Sequence, residues 1–216
     1  MVKIKAFIKQ HKKPILMAVF FIATLLVCRF IDTFSETVTD SAWDGVVARD
    51  FTSGTGTLEN PYVISNASEY AYFKELLEGE DASAYIDKNY VIANGFNYGE
   101  YEISINNTIP FSGNIDGRGN LIYNAKIVNN LFNVVEEATI KNINFDEIEY
   151  SLTSETGALL ANEMSNSEIE MVVFNSDVTI SDEGDYSFGG FVYTSQNNKY
   201  NNIIINSNIL SEVTDS

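Results

Sequence analysis

Beyond residue 31 the side chains able to do chemistry are nearly all carboxylates. Asp146, Glu147 and Glu149 lie close together, and Asp182, Glu183 and Asp185 form a second group. Paired carboxylates are the equipment of glycoside hydrolysis, in which one acid protonates the leaving oxygen and a second carboxylate acts on the other face of the sugar. Lyases need a Lys, Arg or His as proton donor or acceptor. Neither acidic group has a basic neighbour in sequence. After Lys126 only Lys141 and Lys199 follow, and no arginine follows Arg118. The single histidine, His11, precedes the apolar leader, so the rest of the chain holds neither a histidine-based triad nor a multi-histidine zinc site. Asp182, Glu183 and Asp185 are the candidates for loose Ca2+ binding, although they lack the alternating ligand series of a calcium loop. Asp116-Gly117-Arg118-Gly119 lacks the Lys-Ser/Thr and the following helix of a phosphate loop and reads as a turn. Metal aside, no cofactor is expected, and no catalytic residue is singled out.

The elements that must position these groups divide sharply by charge. Of 13 Lys and Arg residues, six (Lys3, Lys5, Lys9, Lys12, Lys13 and Arg29) precede Ile31, and no acid does. The remainder carries 7 basic against 30 acidic residues, a net charge of −23. Such a body repels nucleic acid and anionic lipid. Residues 1–13 form a basic segment. Residues 14–31 form a signal-anchor or signal peptide, with an apolar run from Ile15 to Cys28 that Phe30 and Ile31 extend. The length favours an uncleaved anchor if Arg29 snorkels, and the lysines place the N-terminus in the cytoplasm and the body outside. Cys28 is the only cysteine, so the exported part forms no internal disulfide and must rest on a continuous core.

Residues 32–50 read as a polar linker and 51–216 as the folded domain. Asn66 followed by Glu69 matches a capping box, and Tyr70, Phe73, Leu76 and Leu77 follow at helical spacing up to Gly79, which predicts a helix over 66–78. Short β-branched runs come next: Tyr90-Val91-Ile92, Ile103-Ser104-Ile105 and Gly113-Asn114-Ile115. An internal repeat then appears. Ile140 to Phe145, Ile169 to Phe174 and Tyr200 to Ile205 superpose at offsets of 29 and 31 residues. Each is preceded by an apolar pair, Leu131-Phe132, Leu159-Leu160 and Phe191-Val192, and followed by Ile148, Val178 and Ile209. Gly157 and Gly189-Gly190 flank the later pairs. Three apolar landmarks per repeat of about 30 residues predict an all-β, right-handed parallel β-solenoid of about three coils, with the 66–78 helix as its N-terminal cap. Asn129, Asn130, Asn133, Asn142, Asn162, Asn175, Asn201, Asn206 and Asn208 are expected at corners, where Asn tolerates positive φ and ladders with its neighbour.

Gly54-Thr55-Gly56-Thr57-Leu58-Glu59-Asn60-Pro61-Tyr62-Val63-Ile64, the helix, then Phe111-Ser112-Gly113-Asn114-Ile115-Asp116-Gly117-Arg118-Gly119-Asn120 resemble the opening of bacterial surface proteins with GLUG-type repeats. Thr139-Ile140-Lys141-Asn142-Ile143 resembles the strand that trails each repeat in that family. The repeats depart from its glycine pattern at Asn130-Leu131-Phe132-Asn133, at Ala158-Leu159-Leu160-Ala161 and, through Tyr193, at Gly190-Phe191-Val192-Tyr193. The resemblance implies a bacterial cell-surface or extracellular location, a non-catalytic role in adhesion, envelope contact or display, and envelope or host glycans or proteins as partners, with no nucleic acid. The alternative is a carbohydrate-active β-helix enzyme, a polysaccharide lyase or hydrolase using the acidic turns. With no polar cap after Ile209, the C-terminal coil is expected to continue into further repeats or to stack on a partner.

Overall fold

The chain divides into two units, Met1–Thr37 and Val38–Ser216. The computed structural model describes residues 41–181 and 186–212, all in the second unit. The basic segment and the leader at 14–31 lie outside the described residues. Among the described residues no helix is long and apolar enough to cross a membrane.

The domain is mostly β, and every strand pairing is parallel. The strands are β1 (Tyr62–Ile64), β2 (Asn89–Ile92), β3 (Phe96–Asn97), β4 (Asn114–Asp116), β5 (Leu121–Val128), β6 (Phe132–Glu136), β7 (Thr139–Leu152), β8 (Thr156–Gly157), β9 (Ala161–Ser165), β10 (Glu168–Ser181), β11 (Ser187–Phe188), β12 (Val192–Gln196) and β13 (Lys199–Glu212). The largest sheet runs β1-β2-β4-β7-β10-β13, with β3 and β5 attached through β5–β7; smaller sheets are β11-β8 and β12-β9-β6. Each long strand pairs with the strand that follows one repeat later.

That register explains the apolar periodicity. Ile140 pairs with Ile169, and Ile169 with Tyr200, as the repeat requires. The column continues backwards through Ile115, Tyr90 and Tyr62, three rungs more than the repeat in sequence announces. A second column runs Phe96, Ile122, Phe145, Phe174 and Ile205. In it Phe145 and Phe174 stack with centroids 4.5 Å apart and planes 8° off parallel. Period-2 alternation turns these residues inward, and all but the last of that column are buried. One interior void of about 10 Å³ lies among Ile64, Phe73, Ile122, Leu131, Ile140 and Phe145, at the lower limit for a single water.

Two of the landmarks are shifted by one or two residues from the sequence expectation. Phe132 pairs with Ala161 and Ala161 with Val192, so Leu131 matches Leu160 and Phe191, at the same 29 and 31 offsets as the strands, and not Leu159. The third landmark is Tyr150, not Ile148. It pairs with Ile127 on one side and Val178 on the other, because β7 carries an extra residue after Phe145 where the register slips. Glu147, at φ 51°, sits in that bulge. The run Ile103-Ser104-Ile105 forms no strand. Isolated bridges stand at Glu102, just before it, and at its last residue Ile105, and the Ser104 hydroxyl takes the place of backbone, accepting from Val128 N at 2.8 Å and donating to Val128 O at 3.2 Å.

The predicted helix is α1 (Ala67–Glu78), with Asn66 as N-cap accepting from Glu69 N. Tyr70, Phe73 and Leu77 are buried; Leu76 is only partly so. The capping box is completed differently from the expectation. Glu69 is the only charged side chain buried among the described residues. It accepts from Ser65 N at 2.6 Å, Thr52 N at 2.9 Å and the Thr52 hydroxyl, so it ties the entry segment to the helix. Gly79 ends the helix in extended backbone (φ −78°), not in a left-handed cap. Residues 41–50 have no regular structure, yet they lie on the domain. Trp43 packs on Tyr98 and Tyr101, and its indole N–H donates to Val46 O and Ser68 Oγ.

Candidate functional site

The surface that the stacking builds is a set of straight rows. Outward residues of one rung stand beside those of the next at the strand spacing of about 4.8 Å. One row runs Glu102, Lys126, Glu149, Asp177 and Asn208. Lys126 pairs with Glu149 at 3.3 Å, and Asn208 Nδ2 donates to Asp177 Oδ1 at 2.9 Å. The like charges of Glu149 and Asp177, on adjacent rungs, are thus balanced by a cation on one side and an amide on the other. A parallel row carries Asn175 and Asn206, whose side chains bond at 2.9 Å. Asp146, Glu147, Glu149, Asn175, Asp177, Asn206 and Asn208 line an open depression of about 490 Å³. It offers alternating carboxylate acceptors and amide donors on a shallow, solvent-facing surface.

Of the sequence candidates, Asp146, Glu147 and Glu149 therefore lie together here. Asp182, Glu183 and Asp185 fall outside the described residues. Among the described residues no group of three or more His, Cys, Asp or Glu side chains is placed to hold a metal ion. Asp177 was not singled out in the sequence, and Asn175, Asn206 and Asn208, expected at corners, face outward along strands instead. The signal that would have found them is the repeat itself: anchoring the third landmark on Tyr150 puts Glu149, Asp177 and Asn208 in one row.

Asp116 anchors a second depression of about 580 Å³ with Arg118, Asn142, Asn144 and Met171. Its Oδ1 accepts from Arg118 N at 2.9 Å and Asn142 Nδ2 at 2.8 Å, and Lys141 Nζ lies 3.6 Å from Oδ2. Burial alone would raise the Asp116 pKa. The hydrogen bonds and the Lys141 charge outweigh it and hold the carboxyl below its ordinary value. Gly117 allows this turn to press on the next rung, since a Cβ there would lie 2.3 Å from Asn142 O. Gly113 and Gly189 are likewise close-contact positions, Gly119 and Gly190 are turn residues with open space around them, and Leu131, Phe132 and Leu159 are core.

Left-handed backbone marks the corners. Asn142, Met171 and Asn202 share one corner, and Glu137, Asn166 and Asn197 another, all with φ between 50° and 57°. Of the nine asparagines expected at corners, Asn129 and Asn142 adopt positive φ. Burial raises the pKa of Tyr70, Tyr90, Tyr98 and Tyr150 above the ordinary tyrosine value. Tyr150 donates to Asn129 O at 2.7 Å and Tyr90 to Tyr85 O at 2.8 Å. The chain matches no family model, no curated protein and no solved structure.

Proposed function

We propose that the chain is a right-handed parallel β-solenoid displayed on the outer side of a bacterial membrane by its basic, apolar N-terminal segment. It acts there without catalysis, in adhesion, envelope contact or display, in the manner of the GLUG-repeat surface proteins it resembles. The observation that carries the architecture is the column Tyr62, Tyr90, Ile115, Ile140, Ile169 and Tyr200, each residue the parallel partner of the next. A body with a filled interior binds with its outside. The rows of amides and carboxylates suit hydroxyl-rich or amide-rich partners recognised over an extended face. The charge asymmetry of the sequence supports the orientation.

The test has two arms, one on the full chain in bacterial cells and one on the purified chain. With Cys28 replaced by Ser, Asp177→Cys should react with a membrane-impermeant maleimide added to intact cells, whereas Lys9→Cys should react only after permeabilisation. The reverse pattern would overturn the orientation. Depolymerisation of acidic or neutral polysaccharides by the purified chain would overturn the non-catalytic role.

A further inference from the structure

Among the described residues β13 has a neighbour on one side only, β10. The side chains that continue the buried columns are left partly open there: Ile205 is 41% exposed and Ile209 59% exposed, where Phe174 and Val178 one rung below are at 0%. On the outward face Ile204 and Leu210 are 49% and 62% exposed. An edge of this kind presents a ladder of backbone donors and acceptors together with an apolar face.

Two observations say what fits it. The first is charge. The lower rungs carry Asp146, Glu147 and Glu149 in β7 and Glu168, Glu170 and Asp177 in β10, whereas residues 200–210 carry no charge at all. Two charged rows end in amides, Glu149 and Asp177 leading to Asn208 and Lys141 and Glu170 to Asn201, while Glu168, outside this stretch, leads to Lys199. In a body of net charge −23, this edge is a place where a second acidic copy can approach without strand-to-strand repulsion, and where amides, unlike carboxylates, can both donate and accept. The second is pattern. Ile204-Ile205-Asn206-Ser207-Asn208-Ile209-Leu210 reads the same by residue class in either direction. Antiparallel pairing about Ser207 places Ile204 opposite Leu210, Ile205 opposite Ile209 and Asn206 opposite Asn208. It keeps inward residues opposite inward ones, as a twofold interface requires.

We infer that β13 is a self-complementary edge through which two copies of this chain join head to head, antiparallel, with Ser207 on the twofold axis. The opposite end does not compete for it. There Val63 N already donates to Ser53 O, and Tyr70 and Phe73 of α1 close the column beside Ile64. A twofold interface of this kind uses the same strand of both copies, so it closes on itself at two. The inference rests on the β10–β13 register and is independent of where the protein works.

The experiment uses the full chain carrying Cys28→Ser. Chains with Asn206→Cys and Asn208→Cys are mixed and oxidised with copper–phenanthroline, and disulfide-linked dimer is measured over time. The mixture should link at least tenfold faster than Asn206→Cys alone or Asn206→Cys mixed with Lys199→Cys. Ile205→Lys should abolish the difference, and Ile205→Lys with Ile209→Glu, which sets Lys opposite Glu, should restore it. Unchanged Trp43 fluorescence in each variant confirms that the fold is kept. Equal rates in the mixture and the controls, linkage unaffected by Ile205→Lys, or faster linkage of Asn206→Cys to itself would each overturn the inference. So would a ladder of species larger than two.

Discussion

Replacing Glu69 by Ala should destabilise the domain far more than its position in an exposed-looking helix start suggests. The carboxylate is 4% exposed and accepts from Ser65 N, Thr52 N and the Thr52 hydroxyl. Hydrogen bonds to a charged group each contribute about 1.5–3 kcal/mol, and a buried N–H left without a partner costs about 1–3 kcal/mol. The hydroxyl can turn to another acceptor, but the two N–H groups cannot. The expected loss for Glu69→Ala is about 3–5 kcal/mol, in line with breaking a buried charged network. Glu69→Gln keeps the shape but removes the charge and turns one acceptor into a donor, so it should lose about 2 kcal/mol. Urea unfolding followed by Trp43, the only tryptophan, is the natural assay, since its indole bonds to Ser68, next to Glu69. With an m-value of about 2 kcal/mol/M, the Ala variant should unfold about 2 M earlier. A shift corresponding to less than 1 kcal/mol would refute the reasoning, because it would mean that the two N–H groups are not dependent on this carboxylate.

Met171 sits at φ 50° with its side chain 45% exposed, at a corner where the neighbouring rungs use Asn142 and Asn202. Left-handed backbone costs an L-residue about 1–2 kcal/mol, and less for Asn, so Met171→Asn should stabilise by about 0.5–1 kcal/mol, read as a thermal midpoint a few degrees higher. Gly157→Ala should destabilise by about 2 kcal/mol or more, since its Cβ would lie 2.4 Å from Asn129 O and 2.6 Å from the Tyr150 hydroxyl; chemical denaturation measures it. Asp116, with its folded pKa lowered, contributes stability that is complete above the unfolded value near pH ~4 and is lost as pH falls through the folded value. Asp116→Asn should flatten that acid limb. The buried tyrosines have raised folded pKa values, so their contribution is complete below pH ~10 and is lost as pH rises. Spectroscopic titration should show Tyr90 and Tyr150 ionising only with unfolding.

How far the sequence reveals this fold depends on which rung is read. From Ile140 onward the repeat is nearly regular, and the columns through Ile140, Ile169 and Tyr200 stand where the spacing puts them. Before that, α1 and short irregular connections interrupt the chain, and aromatic Tyr62 and Tyr90 occupy the place of Ile, so those rungs do not look like copies of the later ones. A single inserted residue in β7 was enough to misplace the third landmark: at the 29-residue offset Val178 falls opposite the outward Glu149, and the inward residues Ile148 and Tyr150 stand on either side of it. The candidate site suffered most from this. Glu149 was visible as an acid, but its alignment with Lys126, Asp177 and Asn208 exists only once the register is fixed. Trp43 was hidden for another reason: a lone aromatic in a polar, aperiodic segment gives no pattern from which docking can be inferred.

Spin-label distances along the outward row test the stacked register most directly. With Cys28 replaced by Ser, nitroxide pairs are placed at Lys126 with, in turn, Glu149, Asp177 and Asn208, with each doubly labelled chain diluted in unlabelled chain. Because these residues are successive parallel partners, the distances should rise in even steps of about 4.8 Å per rung, to about 14 Å for the Lys126 and Asn208 pair. Distances that fail to increase in that order, or a Lys126 to Asn208 separation well beyond 20 Å, would contradict it.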